Sequence, residues 1–149
     1  MGTTQENSFV HLHVHTEFSL LDGLILTNEM CNFCSESGMP AIAMTDHGNM
    51  FGTIEFYQNA TKAKIKPIIG CEIYLAPFSL QDKKRYPGRR NATHLVLLAE
   101  NDLGYHNLAK IVTRGNLEGM YYKPRVDLET LEEFHEGIIC LSGCVAGPI

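Results

Sequence analysis

Short, almost uniformly apolar runs alternate along this chain with stretches in which apolar residues recur every three or four positions. The first pattern marks buried strands and the second amphipathic helices. Residues 9–15 alternate apolar side chains with histidine and read as a strand, as do the runs 41–44, 67–75, 95–99 and 137–141. Helices are expected over 27–37, 51–64, 102–114 and 128–134. Thr27 is the expected N-cap of the first helix, and Gly38, just ahead of Pro40, its stop. A polar loop over 76–92 carries Lys83, Lys84, Arg85, Arg89 and Arg90 around Tyr86. Strands alternating with helices imply parallel pairing and an α/β fold, either a doubly wound sheet or a barrel. A closed (β/α) barrel takes about 250 residues. Five strands in 149 residues would then be most of a barrel, left incomplete.

Composition adds limits. Hydrophobic residues at 44% can fill a core, and charged residues at 19% are too few for a disordered tail. No apolar run approaches the ~20 residues of a membrane-spanning helix, and residues 1–8 lack the basic-then-apolar pattern of a secretory signal. A cytoplasmic location with no membrane partner is expected. The net charge of −5 argues against a small domain held to DNA by its own charge. It leaves room for a nuclease cleft whose cations are metal ions. Five cysteines, an odd number, do not make a secreted disulfide framework.

The strongest chemical signal is His11-Leu12-His13-Val14-His15. At strand period the three imidazoles share one face, and imidazole is a common ligand for zinc, manganese and iron. The interleaved apolar residues exclude an expression tag. Asp46 and His47 directly follow the 41–44 strand, where functional residues of parallel α/β folds gather. The pair offers one ligand and one carboxylate to orient an imidazole. Glu72 sits in an otherwise apolar strand, where an unpaired buried carboxylate is costly and a cation relieves it. His94 stands at the start of its apolar run, the wrong end for a parallel fold, and Cys144 follows the last strand. Taken singly, these two read as structural. Cys31 and Cys34 have zinc-knuckle spacing but lie within a helix without a second pair, which favours packing. Cys71 and Cys140 read as core thiols, and His106 and His135 as solvated. The basic loop reads as solvated, with phosphate contact as its functional alternative.

These motifs together resemble the PHP (polymerase and histidinol phosphatase) family. The matching stretches are 11–23, 45–52, 66–70, 94–99, 104–108 and 141–144, spread over nearly the whole chain. Phe18-Ser19-Leu20-Leu21-Asp22-Gly23 and Gly48-Asn49-Met50-Phe51-Gly52 favour the branch found at the N-terminus of bacterial replicative DNA polymerases over stand-alone phosphatases. The resemblance implies a distorted seven-stranded TIM-like (β/α) barrel, with up to three divalent ions at one end. Its ligands would be His13, His15, Asp22, His47, Glu72, His94 and Cys144. His11 falls where many PHP phosphatases carry Asp and is assigned, with Asp46, to support the ligands from behind. Every ligand position the chain reaches holds a metal-competent residue. The family's final Asp-x-His motif does not occur before Ile149, so the chain is expected to hold metal less completely than an intact domain.

Clustered divalent ions suit phosphate-ester hydrolysis. Zinc fits the His, Cys and carboxylate set best, with manganese or iron as alternatives. In a polymerase the fitting substrate is a mispaired 3′ end, giving 3′–5′ exonuclease proofreading. The alternatives are a non-catalytic module that stabilises the polymerase and docks a separate proofreading subunit, and a small-molecule phosphatase. Implied partners are DNA and the other polymerase modules, and the polymerase itself is a nucleotidyltransferase. This chain alone is not expected to polymerise DNA.

Overall fold

The computed structural model describes residues 9–145 and 147–148. Its elements run α1 (Thr27–Glu36), β1 (Ala41–Met44), α2 (Thr53–Ala63), β2 (Lys66–Leu75), β3 (Thr93–Ala99), α3 (Asp102–Leu117), β4 (Met120–Tyr121), β5 (Lys123–Val126), α4 (Leu128–Glu133) and β6 (Ile138–Leu141). The fold is α/β with a six-stranded sheet.

β2 is the hub of the sheet. Residues 66–69 pair in parallel with β1, and residues 70–75 pair antiparallel with β3. Tyr74 and Leu75 also pair in parallel with β5. β3 pairs antiparallel with β6, and β4 with β5. The sheet is therefore mixed, whereas the alternation of elements implies parallel pairing. The reason is local: β2 and β3 are joined by a loop without a helix, so no crossover returns the chain in parallel.

Residues 9–15 are the second departure. They are not a regular strand; His11 forms a single parallel bridge with Ile42. The Ala43 N–H donates to the His11 carbonyl, and the Thr45 N–H to the Val14 carbonyl, both at 2.8 Å. Two steps along β1 and its continuation thus match three steps along the N-terminal segment. The extra residue is a bulge, and side chains before and after it no longer share faces at period two.

Helix termini follow their caps. The Asn101 side chain accepts from the Gly104 N–H at 3.0 Å, and α3 runs three residues beyond its expected end. Asp127 accepts from the Thr130 N–H at 2.9 Å to start α4. Gly38, at φ 69°, ends α1 as expected. Thr27 is not its cap, however. Leu26 occupies that position, and the buried Thr27 hydroxyl donates to Glu55 and accepts from Asn59. The β4–β5 hairpin has no clear sequence signal; it turns on Tyr122, which takes φ 61°.

Three apolar clusters hold these elements together. One packs Cys71, Ile73, Leu75, Leu95 and Leu97 of the sheet under Leu108 and Ile111 of α3. A second gathers Met30, Cys34, Phe56 and Ala60 of α1 and α2 around Ile42 and Met44. The third, Ala43, Val96 and Leu98 with Ile68 and Leu141, lies on the other side of β3 from Leu95 and Leu97. Glu72 pairs in register with Val96 and shares that side. Cys31, Cys34 and Cys71 are buried, but Cys140, expected in the core, is exposed. His106 and His135 are exposed. Among the described residues no helix is long and apolar enough to cross a membrane.

Leu108 is fully buried between α3 and the sheet. Leu108→Ala is expected to cost about 2–5 kcal/mol, measurable as a lowered denaturation midpoint.

Candidate metal centre

Glu72 is 1% exposed, and its carboxylate is the meeting point of four imidazoles. Its Oε2 accepts from His13 Nε2 at 2.7 Å and lies 3.7 Å from His15 Nε2. Its Oε1 accepts from His47 Nδ1 at 2.7 Å and lies 3.0 Å from His94 Nδ1. Burial pushes the Glu72 carboxyl up. The hydrogen bond from His47, the charges of His94 and His47 and the hydrogen bond from His13 outweigh it and bring the pKa to about 2. The carboxylate in turn raises His47 against the effect of burial. His15 is lowered, first by burial and then by neighbouring His47, whose ring stacks on it at 3.9 Å.

The fold explains how these residues meet. His13 and His15 follow the bulge and face Glu72 together. His47 bridges Glu72 directly through the backbone, beyond the end of β1. His94 opens β3, and because β3 runs antiparallel to β2 its beginning lies beside the carboxyl half of β2, opposite Tyr74. That resolves its wrong-end position in the sequence. Asp22 Oδ2 lies 3.1 Å from His47 Nε2, on an exposed rim, and Cys144 Sγ lies 3.9 Å from His94 Nδ1. The structure thus brings His13, His15, Asp22, His47, Glu72, His94 and Cys144 into one chain of contacts.

His11 and Asp46 stand elsewhere. His11 precedes the bulge and lines an apolar groove with Val14, Ile25, Met30 and Phe33, its ring packed on Phe9. It does not support the cluster, and a strict strand alternation hides this. Asp46 is fully buried and hydrogen-bonds no imidazole. Its carboxylate accepts from the Thr16 N–H and hydroxyl and from the Ser19 hydroxyl, at 2.6–2.7 Å. Asp46 therefore fixes the turn that carries Asp22. The role of orienting an imidazole falls to the Thr45 carbonyl, 2.9 Å from His15 Nδ1, which leaves Nε2 facing Glu72.

Four imidazoles thus crowd one buried carboxylate. Together they are a nitrogen and oxygen donor set suited to a divalent first-row cation. The candidate ligand atoms of His13, His15 and Glu72 all lie within 4.8 Å of one another. The residues present fit a bound cation.

Tyr74 and Lys123 belong to the site without a motif to announce them. Tyr74 follows Glu72 by two and shares its strand face, the one available signal; burial, with the Glu72 and Asp22 charges, lifts its phenol to about 12. The Lys123 ammonium lies over the Tyr74 ring at 5.2 Å. Of the basic loop, Arg85, Arg89 and Arg90 line a cavity bounded by Tyr74 and His94, while Lys83 and Lys84 do not.

Gly23 closes the Asp22 turn: its N–H donates to the Ser19 carbonyl at 2.8 Å, and an added Cβ would lie 1.8 Å from the Thr16 carbonyl oxygen. Gly23→Ala is expected to cost about 1–3 kcal/mol and to break the Asp22–His47 contact. Thermal denaturation and the His47 imidazole NMR resonances check both effects.

The chain is 49% identical over 141 residues to a DNA polymerase III subunit alpha from Borreliella burgdorferi, covering 95% of this chain and 12% of that protein. It is 49% identical over 144 residues to the Thermus aquaticus subunit of the same name, again covering 95% and 12%. Against the Mycobacterium tuberculosis H37Rv subunit it is 45% identical over 161 residues, covering 99% and 14%. The chain spans about an eighth of the length of these relatives. The family model described as the PHP domain matches residues 11–149, and with nearly the whole sequence accounted for, the chain belongs to the PHP domain family.

Proposed function

We propose that this chain is the N-terminal PHP portion of a bacterial replicative DNA polymerase, working in the cytoplasm. In this reading its metal centre hydrolyses the terminal phosphodiester of a DNA 3′ end. The observation that carries the reading is the buried Glu72 carboxylate with His13, His15, His47 and His94 within 4 Å of it. The proposed ligands are these five residues with Asp22 and Cys144. Together they would hold up to three ions in the intact domain, zinc for preference and manganese or iron as alternatives. Divalent ions so held would supply a nucleophile from water near neutral pH and polarise phosphoryl oxygens.

The chain's own residues set the stage for that chemistry. His15 is held in one orientation by the Thr45 carbonyl, which keeps its Nε2 free for a ligand. Glu72 stays anionic at every physiological pH. Asp46, through Thr16 and Ser19, keeps Asp22 over His47. Tyr74 keeps its proton up to about pH 12 and offers a hydroxyl donor at the mouth of the centre. No protein nucleophile is required.

A second reading, a module that stabilises the polymerase and docks a proofreading subunit, is favoured by the apolar surface around the His11 groove. Ile25 is 44% exposed there and Phe33 59%. One experiment separates the two. In the full-length protein, His13→Ala/His15→Ala is expected to lower 3′-end hydrolysis by at least a hundredfold while DNA synthesis persists. Equal hydrolysis in variant and wild type would refute the nuclease reading. Loss of polymerase stability with no hydrolysis to lose would establish the docking one.

A further inference from the structure

The basic loop is exposed but anchored. Its two ends are tied to one buried residue, Arg125, which is 1% exposed. The Arg125 guanidinium donates to the Asp82 carbonyl at 3.0 Å and to the Asn91 carbonyl at 3.4 Å, while its Nε donates to the Gly119 carbonyl at 3.4 Å. The Tyr86 hydroxyl donates to Asp82 at 2.6 Å, and the Tyr86 ring packs on Phe78 at 5.1 Å. Held this way, the loop presents Arg85, Arg89 and Arg90 to a cavity of about 650 Å³. Lys123, from the start of β5, and Tyr122, from the hairpin turn, line it from the other side.

Three features of this cavity point to its ligand. Four cations line it with no acidic side chain, and among the described residues none of the four forms an ion pair. Tyr122 is 82% exposed and held in the left-handed region, at φ 61°, where a non-glycine residue is unfavourable. Finally, Tyr74, His94 and Lys123 line both this cavity and a second one of about 320 Å³, which contains Asp22 and His47. The basic cavity therefore opens directly onto the proposed metal centre. In the second cavity the opposite wall is apolar, with Leu20 82% and Leu21 89% exposed.

Spaced cations flanked by an exposed ring match the backbone and bases of an unpaired polynucleotide. A single phosphomonoester needs one anion site, and a duplex end hides its base faces. We propose that this trough seats the single-stranded DNA immediately 5′ of the scissile phosphate. Arg85, Arg89, Arg90 and Lys123 hold its phosphates, and Tyr122 stacks on one base. The proposal rests on the nuclease reading for its purpose but not for its geometry.

Two measurements on the full-length protein test it. In the first, Arg85→Ala/Arg89→Ala/Arg90→Ala is compared with wild type on a single-stranded oligonucleotide and on the p-nitrophenyl ester of thymidine 5′-monophosphate. The KM for the oligonucleotide is expected to rise at least tenfold, and the loss of kcat/KM on it to exceed that on the ester by tenfold or more. Its logarithmic salt dependence should become shallower by about 2, because each of the three phosphates no longer neutralised accounts for about 0.7 of the slope. The triple lysine variant should recover most of the loss, which separates charge from folding. Equal losses on both substrates, or an unchanged KM and salt slope, would overturn the proposal. In the second, an oligonucleotide with 5-iodouracil next to its 3′ end is irradiated with the His13→Ala/His15→Ala variant, so that no hydrolysis is needed. Cross-links are expected on the peptide carrying Tyr121 and Tyr122 and should fall at least fivefold in Tyr122→Ala. Hydrolysis absent in wild type with these cross-links present would reject the nuclease reading and keep the trough. Cross-links confined to other parts of the protein would reject the trough.

Discussion

A carboxylate stripped of water must be offset by positive charge or hydrogen-bond donors, and Glu72 obtains both from imidazoles. That requirement organises this end of the molecule. His13 and His15 must arrive from one segment, His47 from the end of β1 and His94 from the start of β3, all at distances of 2.7–3.7 Å. Removing any one element would leave a buried charge short of partners. The arrangement also explains why the cluster is poised for a cation. The hydrogen bonds from His13 and His47 and the close approach of His15 and His94 place nitrogen donors around the same two carboxylate oxygens.

Converging four segments on one point requires irregular backbone. The bulge between His11 and Val14 turns His13 and His15 inward and sends His11 to an apolar groove. The antiparallel return of β3 brings His94 to the end of the sheet where β2 carries Glu72. Neither device shows in a pattern of apolar and polar letters. A strand read at strict period two puts all three histidines together, and a βαβ reading puts His94 at the far end. Helices, by contrast, are legible to within three residues at each end; Gly38 marks a terminus by local chemistry, while Thr27 turns inward and leaves the cap position to Leu26.

The same division holds for the site. Glu72 and the histidine segment can be read because a charge in an apolar strand and imidazoles at alternate positions are unusual by themselves. Asp22, His94 and Cys144 enter only through the resemblance of the whole pattern to a family. For Asp46 the sequence points to the right neighbourhood with the wrong contact, since nothing in it says that Thr16 and Ser19 claim the carboxylate oxygens. Cys140 looks like a core residue but is not one, because β6, at one end of the strand order, leaves its outer side open.

Arg125 holds its loop entirely through main-chain carbonyls, those of Asp82, Asn91 and Gly119. A staple that reads only backbone is indifferent to the side chains strung between its anchor points. Arg85 and Arg90 can therefore be exchanged one at a time without loosening the loop that displays them, whereas Arg89 also lies over the Phe78 ring. The rigid part of this surface and its variable part are separable. Charge and shape beside the candidate metal centre can be retuned while the frame that carries them stays as it is.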